Sequence, residues 1–212
     1  GRTMIADETN ASLGEPTWSP DGSKLAYVRT ATENTAAGSA TRSHVWVMNA
    51  DGTGRTALTA DMDGNQNMPA WSPRLGDGSE RIAFAHDVNA QPRIWTMRPD
   101  GSDRRAITAT AGAYDISPAW SPDGQTVAYQ RTAVAIFGDI WLVDANGGNE
   151  RALMPFYALP GPQWSPAFSP DGKLIAFTST HETYGSGTIN YQVYTAWTDG
   201  SKLARRTFDA GE

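Results

Sequence analysis

The sequence contains no cysteine, and this absence excludes several kinds of chemistry at once. Disulfide bonds, thiolate nucleophiles and cysteine-ligated zinc sites all require that residue. Long apolar runs are missing as well: the longest extend over a few residues, such as Val45 to Met48, whereas a membrane-spanning helix needs about 20. We therefore expect a globular chain that is not inserted in a membrane.

Positive charge is also scarce. The chain has 17 Lys and Arg residues against 23 Asp and Glu, which gives a formal net charge of −6. Nucleic-acid binding draws most of its affinity from Lys and Arg side chains that neutralise phosphates, and no basic stripe is present here. Nucleic acid is therefore not an expected partner.

What the sequence does contain is an internal repeat. A Pro-x-Trp-Ser-Pro motif, with Phe for Trp in the last copy, occurs four times at spacings of 53, 49 and 48 residues. Its aromatic residues are Trp18, Trp71, Trp120 and Phe168. A second aromatic marker follows each of them at Trp46, Trp95, Trp141 and Tyr194. Two markers in a fixed order, repeated four times, indicate four copies of one structural unit.

Each copy is predicted to contain four short strands, A to D. Strand B is apolar on both faces, as in Leu25-Ala26-Tyr27, which is typical of a strand buried on both sides. Ser-Pro-Asp-Gly joins A to B in three copies, the second copy having a longer turn at residues 73–78, and Asp-Gly or Asn-Gly joins C to D. Four strands in a period near 50 residues predict an all-β fold, a β-propeller.

The predicted domain is one propeller over residues 1–212, with blades at about 15–60, 68–108, 117–154 and 165–209. Residues 1–14 are expected to be the D strand of a preceding blade and a loop, because Arg2-Thr3-Met4-Ile5-Ala6 precedes Trp18 as Arg55 to Thr59 precedes Trp71. Two arrangements stay open. The blades close as a four-bladed ring with one frayed strand, or they are a segment of a larger, six- to eight-bladed propeller. An open arc would pair with a second copy as a homodimer.

The Pro-x-Trp/Phe-Ser-Pro-Asp-Gly strand and turn closely resemble the TolB/PD40 (WD40-like) propeller repeat, over nearly the whole chain. This resemblance implies a non-catalytic binding scaffold for a protein or peptide partner, in the periplasm or elsewhere in the bacterial envelope. The same repeat also builds the propellers of prolyl-oligopeptidase-like hydrolases, which leaves an accessory domain of a hydrolase or of a polysaccharide lyase as the alternative. TolB itself has six blades and an additional N-terminal domain, which these 212 residues do not show.

Ligand-binding residues are expected on the B–C and D–A loops, which vary between copies, and at the mouth of the central channel. Counting three positions before each strand-A proline gives a ring that begins with Leu13. Polar and aromatic side chains there suit a peptide or sugar, although Trp164 and Phe156 could instead pack their own loop. The predicted binding residues are Glu15, Gln66, Asn67, Tyr114, Asp115, Gln163 and Trp164.

Catalytic and metal sites have less support. The Gly-x-Ser-x-Gly, His-Glu-x-x-His and phosphate-loop motifs are all absent. His44, His86 and His181 lie in or beside B–C loops, where they either converge as metal ligands, as in propeller lyases that resemble this fold, or are solvated. The segment from Asp61 to Asn67 spaces oxygen atoms as a calcium loop would, but it lacks the glycine at the sixth position and the distal Glu. We therefore expect no cofactor, with calcium as the alternative.

Overall fold

The computed structural model of the chain describes residues 8–35, 38–109, 111–133, 138–155, 158–180 and 190–208. These residues form sixteen strands in four antiparallel four-stranded sheets, which confirms the all-β propeller prediction. The predicted strand Arg2 to Ala6 lies outside the described residues. No helix in the described part of the chain is long and apolar enough to cross a membrane.

Each sheet is one blade, with its strands paired in sequence order from the inside of the propeller outward. Blade 1 contains β1 (Ala11–Trp18), β2 (Lys24–Thr35), β3 (Gly38–Asn49) and β4 (Thr56–Ala57). Blade 2 contains β5 (Asn65–Trp71), β6 (Ile82–Val88), β7 (Gln91–Met97) and β8 (Arg105–Ala106). Blade 3 contains β9 (Ala113–Trp120), β10 (Thr126–Ala133), β11 (Gly138–Asp144) and β12 (Arg151–Ala152). Blade 4 contains β13 (Gln163–Phe168), β14 (Leu174–Ser179), β15 (Gln192–Trp197) and β16 (Ala204–Arg205).

The innermost strand of every blade is interrupted by a bulge at its proline. Proline has no N–H to donate to a ladder, so within sheets it is found at edges and bulges. The residue before each proline has a positive φ of 52–54°, and the strand pairing shifts register at the same place. These residues are Glu15, Met68, Ser117 and Ser165. The motif therefore bends all four inner strands at equivalent points.

The Ser-Pro-Asp-Gly turn is held by its own side chains. In blade 3, the Ser121 hydroxyl donates to Asp123 at 2.6 Å and accepts the backbone N–H of Thr126 at 2.9 Å. Gly124 closes the turn with a φ of +68°, a conformation that suits glycine. The turns that begin at Ser19 and Ser169 repeat this pattern. The repeated sequence is thus accounted for by a local hydrogen-bond network.

Neighbouring blades pack face to face through apolar side chains. We call the face that carries the motif aromatic the leading face of a blade, and the opposite face its trailing face. Between blades 1 and 2, Trp71, Ile82 and Phe84 of the leading face pack on Val45 and Leu58 of the trailing face. The equivalent clusters join blade 2 to blade 3 and blade 3 to blade 4. The core of the protein therefore lies between its sheets.

The two end faces of this series are uncovered. Among the described strands, extended packing joins blades 1 and 2, 2 and 3, and 3 and 4, and none of comparable extent joins blade 4 to blade 1. On the leading face of blade 1, Leu25, Tyr27 and Met48 form a cluster of their own. Trp18 on that face is 56% exposed, whereas the equivalent Trp71 is 8% exposed. The described blades thus form an arc with two free ends.

This difference predicts unequal costs for two equivalent truncations. Trp71→Ala should lower the free energy of unfolding by about 3–5 kcal/mol, because a buried indole is lost and a cavity is left. Trp18→Ala should cost less than about 1 kcal/mol, because most of that side chain is already in water. Urea unfolding of the two variants measures both values. Equal losses would show that Trp18 is covered in solution.

The turn aspartates predict acid sensitivity. Hydrogen bonds from Ser19 and Ser23 lower the pKa of Asp21 from 3.8 to about 2. A carboxylate whose pKa is depressed in the folded state stabilises that state above its ordinary pKa, and the effect is lost as the pH falls through the folded pKa. Asp21→Asn should therefore lower the melting temperature at pH 7 by more than at pH 2. A difference in melting temperature that is independent of pH would contradict this assignment.

Candidate functional site

The axis of the propeller is lined by the proline bulges. A shallow, open depression of about 320 Å³ lies there, lined by the proline and the preceding residue of all four inner strands. Glu15 is the one carboxylate among these eight residues, and its Oε2 accepts the backbone N–H of Met68 at 2.5 Å. The Ser117 hydroxyl lies 3.4 Å from the Met68 sulfur. Of the predicted binding residues, Glu15 is therefore the one that faces the axis.

Three other predicted residues, Gln66, Asp115 and Gln163, were expected at the channel mouth and are instead buried, with 0–1% exposure. Gln66 joins blade 2 to blade 1. Its Oε1 lies 2.7 Å from Nδ1 of His44, and its Nε2 donates to the Asp63 carbonyl at 2.9 Å. Both polar ends of this amide are thus hydrogen-bonded within the protein.

Gln163 has the same role between blades 4 and 3. Its Oε1 accepts the backbone N–H of Ile140 at 3.4 Å. In blades 1 and 2 the equivalent N–H binds the hydroxyl of Thr59 or Thr108, but Met154 stands at that position in blade 3 and has no hydroxyl. Gln163 therefore satisfies a buried backbone donor that would otherwise lack a partner.

Asp115 belongs to a buried ion cluster. It pairs with Arg131, directly opposite on β10, through two hydrogen bonds of 2.7 and 2.8 Å. Arg131 also donates to Glu150, which accepts the Tyr129 hydroxyl at 3.1 Å. The Arg131 guanidinium carbon lies 4.6 Å from the centroid of the Trp141 ring. Bidentate pairing of this kind fixes the geometry of both partners.

In this cluster Glu150 is ionised and Tyr129 is neutral. Burial raises the pKa of Glu150, but the hydrogen bond and the charge of Arg131 outweigh it, so that the pKa is lowered overall. Burial also raises the pKa of the Tyr129 hydroxyl, which stays protonated. Oxygen Oε1 of Glu150 accepts the backbone N–H of Ala109 at 3.2 Å. The cluster therefore joins β9 to β10 and connects blade 3 to the loop at Ala109.

Exposed aromatic side chains mark the loop ends of the propeller. Tyr114, at the start of β9, is 43% exposed, and Tyr191, before β15, is 63% exposed. The ring of the half-buried Trp164 lies 5.4 Å from that of Tyr191, between centroids. Asn67 is also half-buried, and Phe156 lies outside the described residues. We call Tyr114, Trp164 and Tyr191 the loop-end aromatics.

Tyr191 was not among the predicted residues, because the B–C loop predicted for the fourth copy ended at Asn190. A sequence signal was present: Tyr191 directly precedes β15, whose apolar residues alternate, so an aromatic residue there lies at the loop end of the strand. The predicted residues thus fall into three groups: Glu15 at the axis, the buried polar side chains of Gln66, Asp115 and Gln163, and Asn67, Tyr114 and Trp164 near the loops. Ligand binding by them stays a prediction.

The side chains of His44 and His86 have hydrogen-bond partners within the protein. His44 Nε2 lies 3.3 Å from Glu33, and His86 Nε2 lies 2.8 Å from the Asp63 carbonyl and packs edge-on against Trp95. His181 lies outside the described residues. Within the described ranges, no group of three or more His, Cys, Asp or Glu residues could hold a metal ion.

The predicted calcium loop uses its oxygens within the protein. Asp61 accepts a hydrogen bond from Arg104 at 2.7 Å, and Oδ1 of Asn65 accepts the Ser43 N–H at 3.0 Å. Asp61, in the loop between β4 and β5, therefore contacts blade 2, and Asn65 connects blade 2 to β3 of blade 1. Calcium binding stays a prediction.

A family model describing the TolB β-propeller domain (PD40) matches residues 2–134. The chain belongs to the TolB β-propeller family. This agrees with the resemblance drawn from the repeated motif and with the four-stranded blades. No curated protein matches the PD40 chain significantly over its sequence.

Solved structures share the fold of this PD40 propeller. TolB from Acinetobacter baumannii has 20% identity and a TM-score of 0.66, with 95% of this chain covered. An oligogalacturonate lyase in complex with manganese has 14% identity, a TM-score of 0.70 and 98% coverage. A puromycin-hydrolyzing peptidase from Mycobacterium tuberculosis has 19% identity, a TM-score of 0.63 and 87% coverage.

The PD40 chain spans only part of each of these proteins: 44% of the TolB, 58% of the lyase and 30% of the peptidase. At these identities the likeness shows the fold alone. A TolB protein, a lyase and a peptidase occur together among these neighbours, and one fold can support many functions.

The ion cluster predicts strong coupling between Asp115 and Arg131. Arg131→Leu should destabilise the protein by about 3–5 kcal/mol, because it leaves Asp115 buried without its partner. Asp115→Leu with Arg131→Leu should recover part of that loss, since the fully buried carboxylate is removed together with its partner, while Glu150 keeps its hydrogen bonds from Tyr129 and Ala109. A double-mutant cycle by urea unfolding measures the coupling. Additive losses would contradict the pairing.

Proposed function

We propose that this PD40 propeller is a non-catalytic scaffold that binds a protein or peptide through its B–C and D–A loop ends. The observation that supports this most is the exposure of Tyr114 and Tyr191 at the loop ends. The strand B aromatics Phe84, Tyr129 and Phe177, in contrast, are buried between blades. Tyr and Trp offer large, rigid contact area with a polar end, and they are enriched at protein interfaces.

The opposite end of the propeller consists of turns that are nearly the same in every blade. Its A–B and C–D turns repeat one another, and their polar side chains bind each other, as Asp51 binds Thr53 and Asp100 binds Ser102. Such turns have few unsatisfied groups for a ligand. The loop ends, which vary from blade to blade, are therefore the better candidate for specific recognition.

We also propose an extracytoplasmic location, in the periplasm or elsewhere in the bacterial envelope. The support is the family and the fold shared with A. baumannii TolB. A homodimer of the open arc is a further proposal, and the uncovered apolar leading face of blade 1 supports it.

The alternative is a propeller domain that serves a hydrolase or a polysaccharide lyase. The neighbours that favour it are the oligogalacturonate lyase and the puromycin-hydrolyzing peptidase. Incubation with oligogalacturonate and manganese discriminates between the proposals: the scaffold proposal expects no unsaturated products, and their release would support the lyase.

The loop-end proposal is tested with phage-displayed random peptides selected on the wild-type chain. Tyr114→Ala and Trp164→Ala should each weaken the selected peptides by at least about tenfold, because hot-spot aromatics dominate such contacts. Biolayer interferometry with synthetic peptides measures the dissociation constants.

Trp197→Ala is the matched control. Trp197 is 37% exposed, and its ring lies 3.9 Å from the Lys202 ammonium, beside the C–D hairpin at the opposite end of its blade. This variant should bind the peptides as the wild type does. Peptides that lose affinity for Trp197→Ala alone, or an outcome without peptide enrichment, would count against the loop ends.

A further inference from the structure

We infer that the outer edge of β3, at residues 39–41, binds an extended segment of a partner protein as an added strand. This inference rests on the proposed function, because β2 and β3 form the B–C hairpin of blade 1 and so belong to the loop ends. The partner segment is held by main-chain hydrogen bonds, and β-branched or aromatic side chains on it add the remaining contacts.

The hairpin of β2 and β3 is longer than its counterparts in the other blades. Both strands have 12 residues, whereas β7, β11 and β15 have 7, 7 and 6. The two strands pair over their full length without a register shift. The outermost strand, β4, pairs with β3 only at Trp46 and Val47. In the described sheets, the outer edge of β3 therefore continues toward the loop end without a neighbouring strand.

The backbone groups along this edge alternate in direction. The Val45 carbonyl accepts the Leu58 N–H at 2.9 Å, just after β4, so the Val45 backbone groups point outward, away from β2. In an antiparallel strand every second residue directs its N–H and C=O to the same side. Ser43, Thr41 and Ser39 therefore also point outward. Among the described residues, no hydrogen-bond partner meets the backbone of Thr41 and Ser39 on that side.

This stretch lacks the features that protect most exposed edges. Edge strands are commonly very short, bulged, or interrupted by charged side chains or proline. The outer strands β4, β8, β12 and β16 follow this rule, since each has two residues. Ser39, Ala40 and Thr41 carry no charge, and the side chains of Ser39 and Thr41 are exposed. The edge is thus available for pairing with another strand.

The surroundings favour a single short segment as the occupant. The loop before β5 closes the edge at one end, where Arg42 Nη1 donates to the Gly64 carbonyl at 3.2 Å and Asn65 Oδ1 accepts the Ser43 N–H at 3.0 Å. The free stretch beyond this loop is short. The net charge of −6 disfavours a second copy of the chain as the occupant, because like-charged copies repel each other. An extended segment of another protein meets neither obstacle.

The side chains of the edge indicate which residues the partner carries. Ser39, Ala40 and Thr41 are small, and successive side chains of a strand lie on opposite faces. An opposing strand therefore has room on both faces for larger side chains. Cross-strand contacts are most favourable for β-branched and aromatic residues, so a segment that contains Val, Ile, Tyr or Phe is expected.

The experiment is a selection of phage-displayed random peptides on the wild-type chain in the presence of excess soluble Thr41→Pro. Proline at this position removes an outward N–H and leaves the ladder between β2 and β3 intact. The competitor withdraws peptides that bind elsewhere. The remaining peptides, made synthetically, should bind Thr41→Pro at least about tenfold more weakly than the wild type in biolayer interferometry.

Thr32→Pro is the matched control. Thr32 lies directly opposite Thr41 and is also exposed, but its backbone groups point to the other side of the hairpin. The strand β1 pairs with β2 only as far as Ala31, so this proline breaks no ladder either. Both variants lose the same contact between the Thr32 and Thr41 hydroxyls, 3.5 Å apart. Thr32→Pro should bind the peptides as the wild type does.

Chemical modification of the peptides supplies a second readout. N-methylation should weaken binding at least about tenfold at every second residue of the bound segment and have little effect at the residues between. This period of two is expected because only alternate N–H groups of a strand face its neighbour. Side-chain contacts without strand pairing do not produce it.

The loop-end aromatics separate this inference from the proposed function. Peptides that lose affinity for Thr41→Pro but keep it for Tyr114→Ala and Trp164→Ala support the added strand by itself. If the selection without competitor gives only peptides that need Tyr114 or Trp164 and tolerate Thr41→Pro, the added strand is overturned and the proposed function stands.

Three further results overturn the added strand: no enrichment in the presence of the competitor, an equal loss of affinity with Thr32→Pro, and sensitivity to N-methylation without a period of two. Circular dichroism confirms that each variant folds. Ser39→Pro, which removes the other outward N–H, replaces Thr41→Pro if the latter does not fold.

Discussion

The contact between an aromatic leading face and an aliphatic trailing face is the interaction on which the rest of the structure depends. Each sheet has only four strands, and its outermost strand is two residues long, so a single blade buries little by itself. Covering Trp71 and Trp120 by the preceding blade produces the continuous core. Stability in such a series is a sum over neighbours, which is why residues far apart in the sequence have equivalent roles.

That packing also decides which side chains are free for function. The inner strands of blades 2 and 4 lie close to the preceding blade, so Gln66 and Gln163, three positions before the proline, meet side-chain and backbone groups of that blade. Gln66 and Gln163 satisfy such groups, and Asp115 is neutralised by Arg131. The two glutamines therefore hold blades together, whereas Asp115 joins two strands within blade 3. The side chains left for a partner are those farther out on the loops, where Tyr191 and Tyr114 are exposed.

The repeat, the strand number and the turns were predictable because they depend on local sequence: period, alternation and the self-contained hydrogen bonds of turns such as Ser121-Pro122-Asp123-Gly124. The burial of Gln66 and Asp115, which the sequence placed at the channel mouth, was not predictable in this way. The count back from the proline crosses a bulge, and the register shift there breaks the simple alternation of a strand. The opposition of Asp115 and Arg131 across a ladder likewise needs the register, which the bulge sets. Nor does the sequence by itself tell a tryptophan that is covered, such as Trp71, from one that is not, such as Trp18.

The two ends of the arc differ in chemistry, and the difference has a physical consequence. At one end Leu13 stands where the other blades have Gln66, Asp115 or Gln163, which makes the leading face of blade 1 more apolar than the covered faces. At the other end Arg206 replaces an aliphatic residue, which makes the trailing face of blade 4 more polar. Apolar and charged ends disfavour each other, so the arc resists unlimited head-to-tail association of its own copies. This selectivity comes from two side chains on a scaffold that is otherwise repeated.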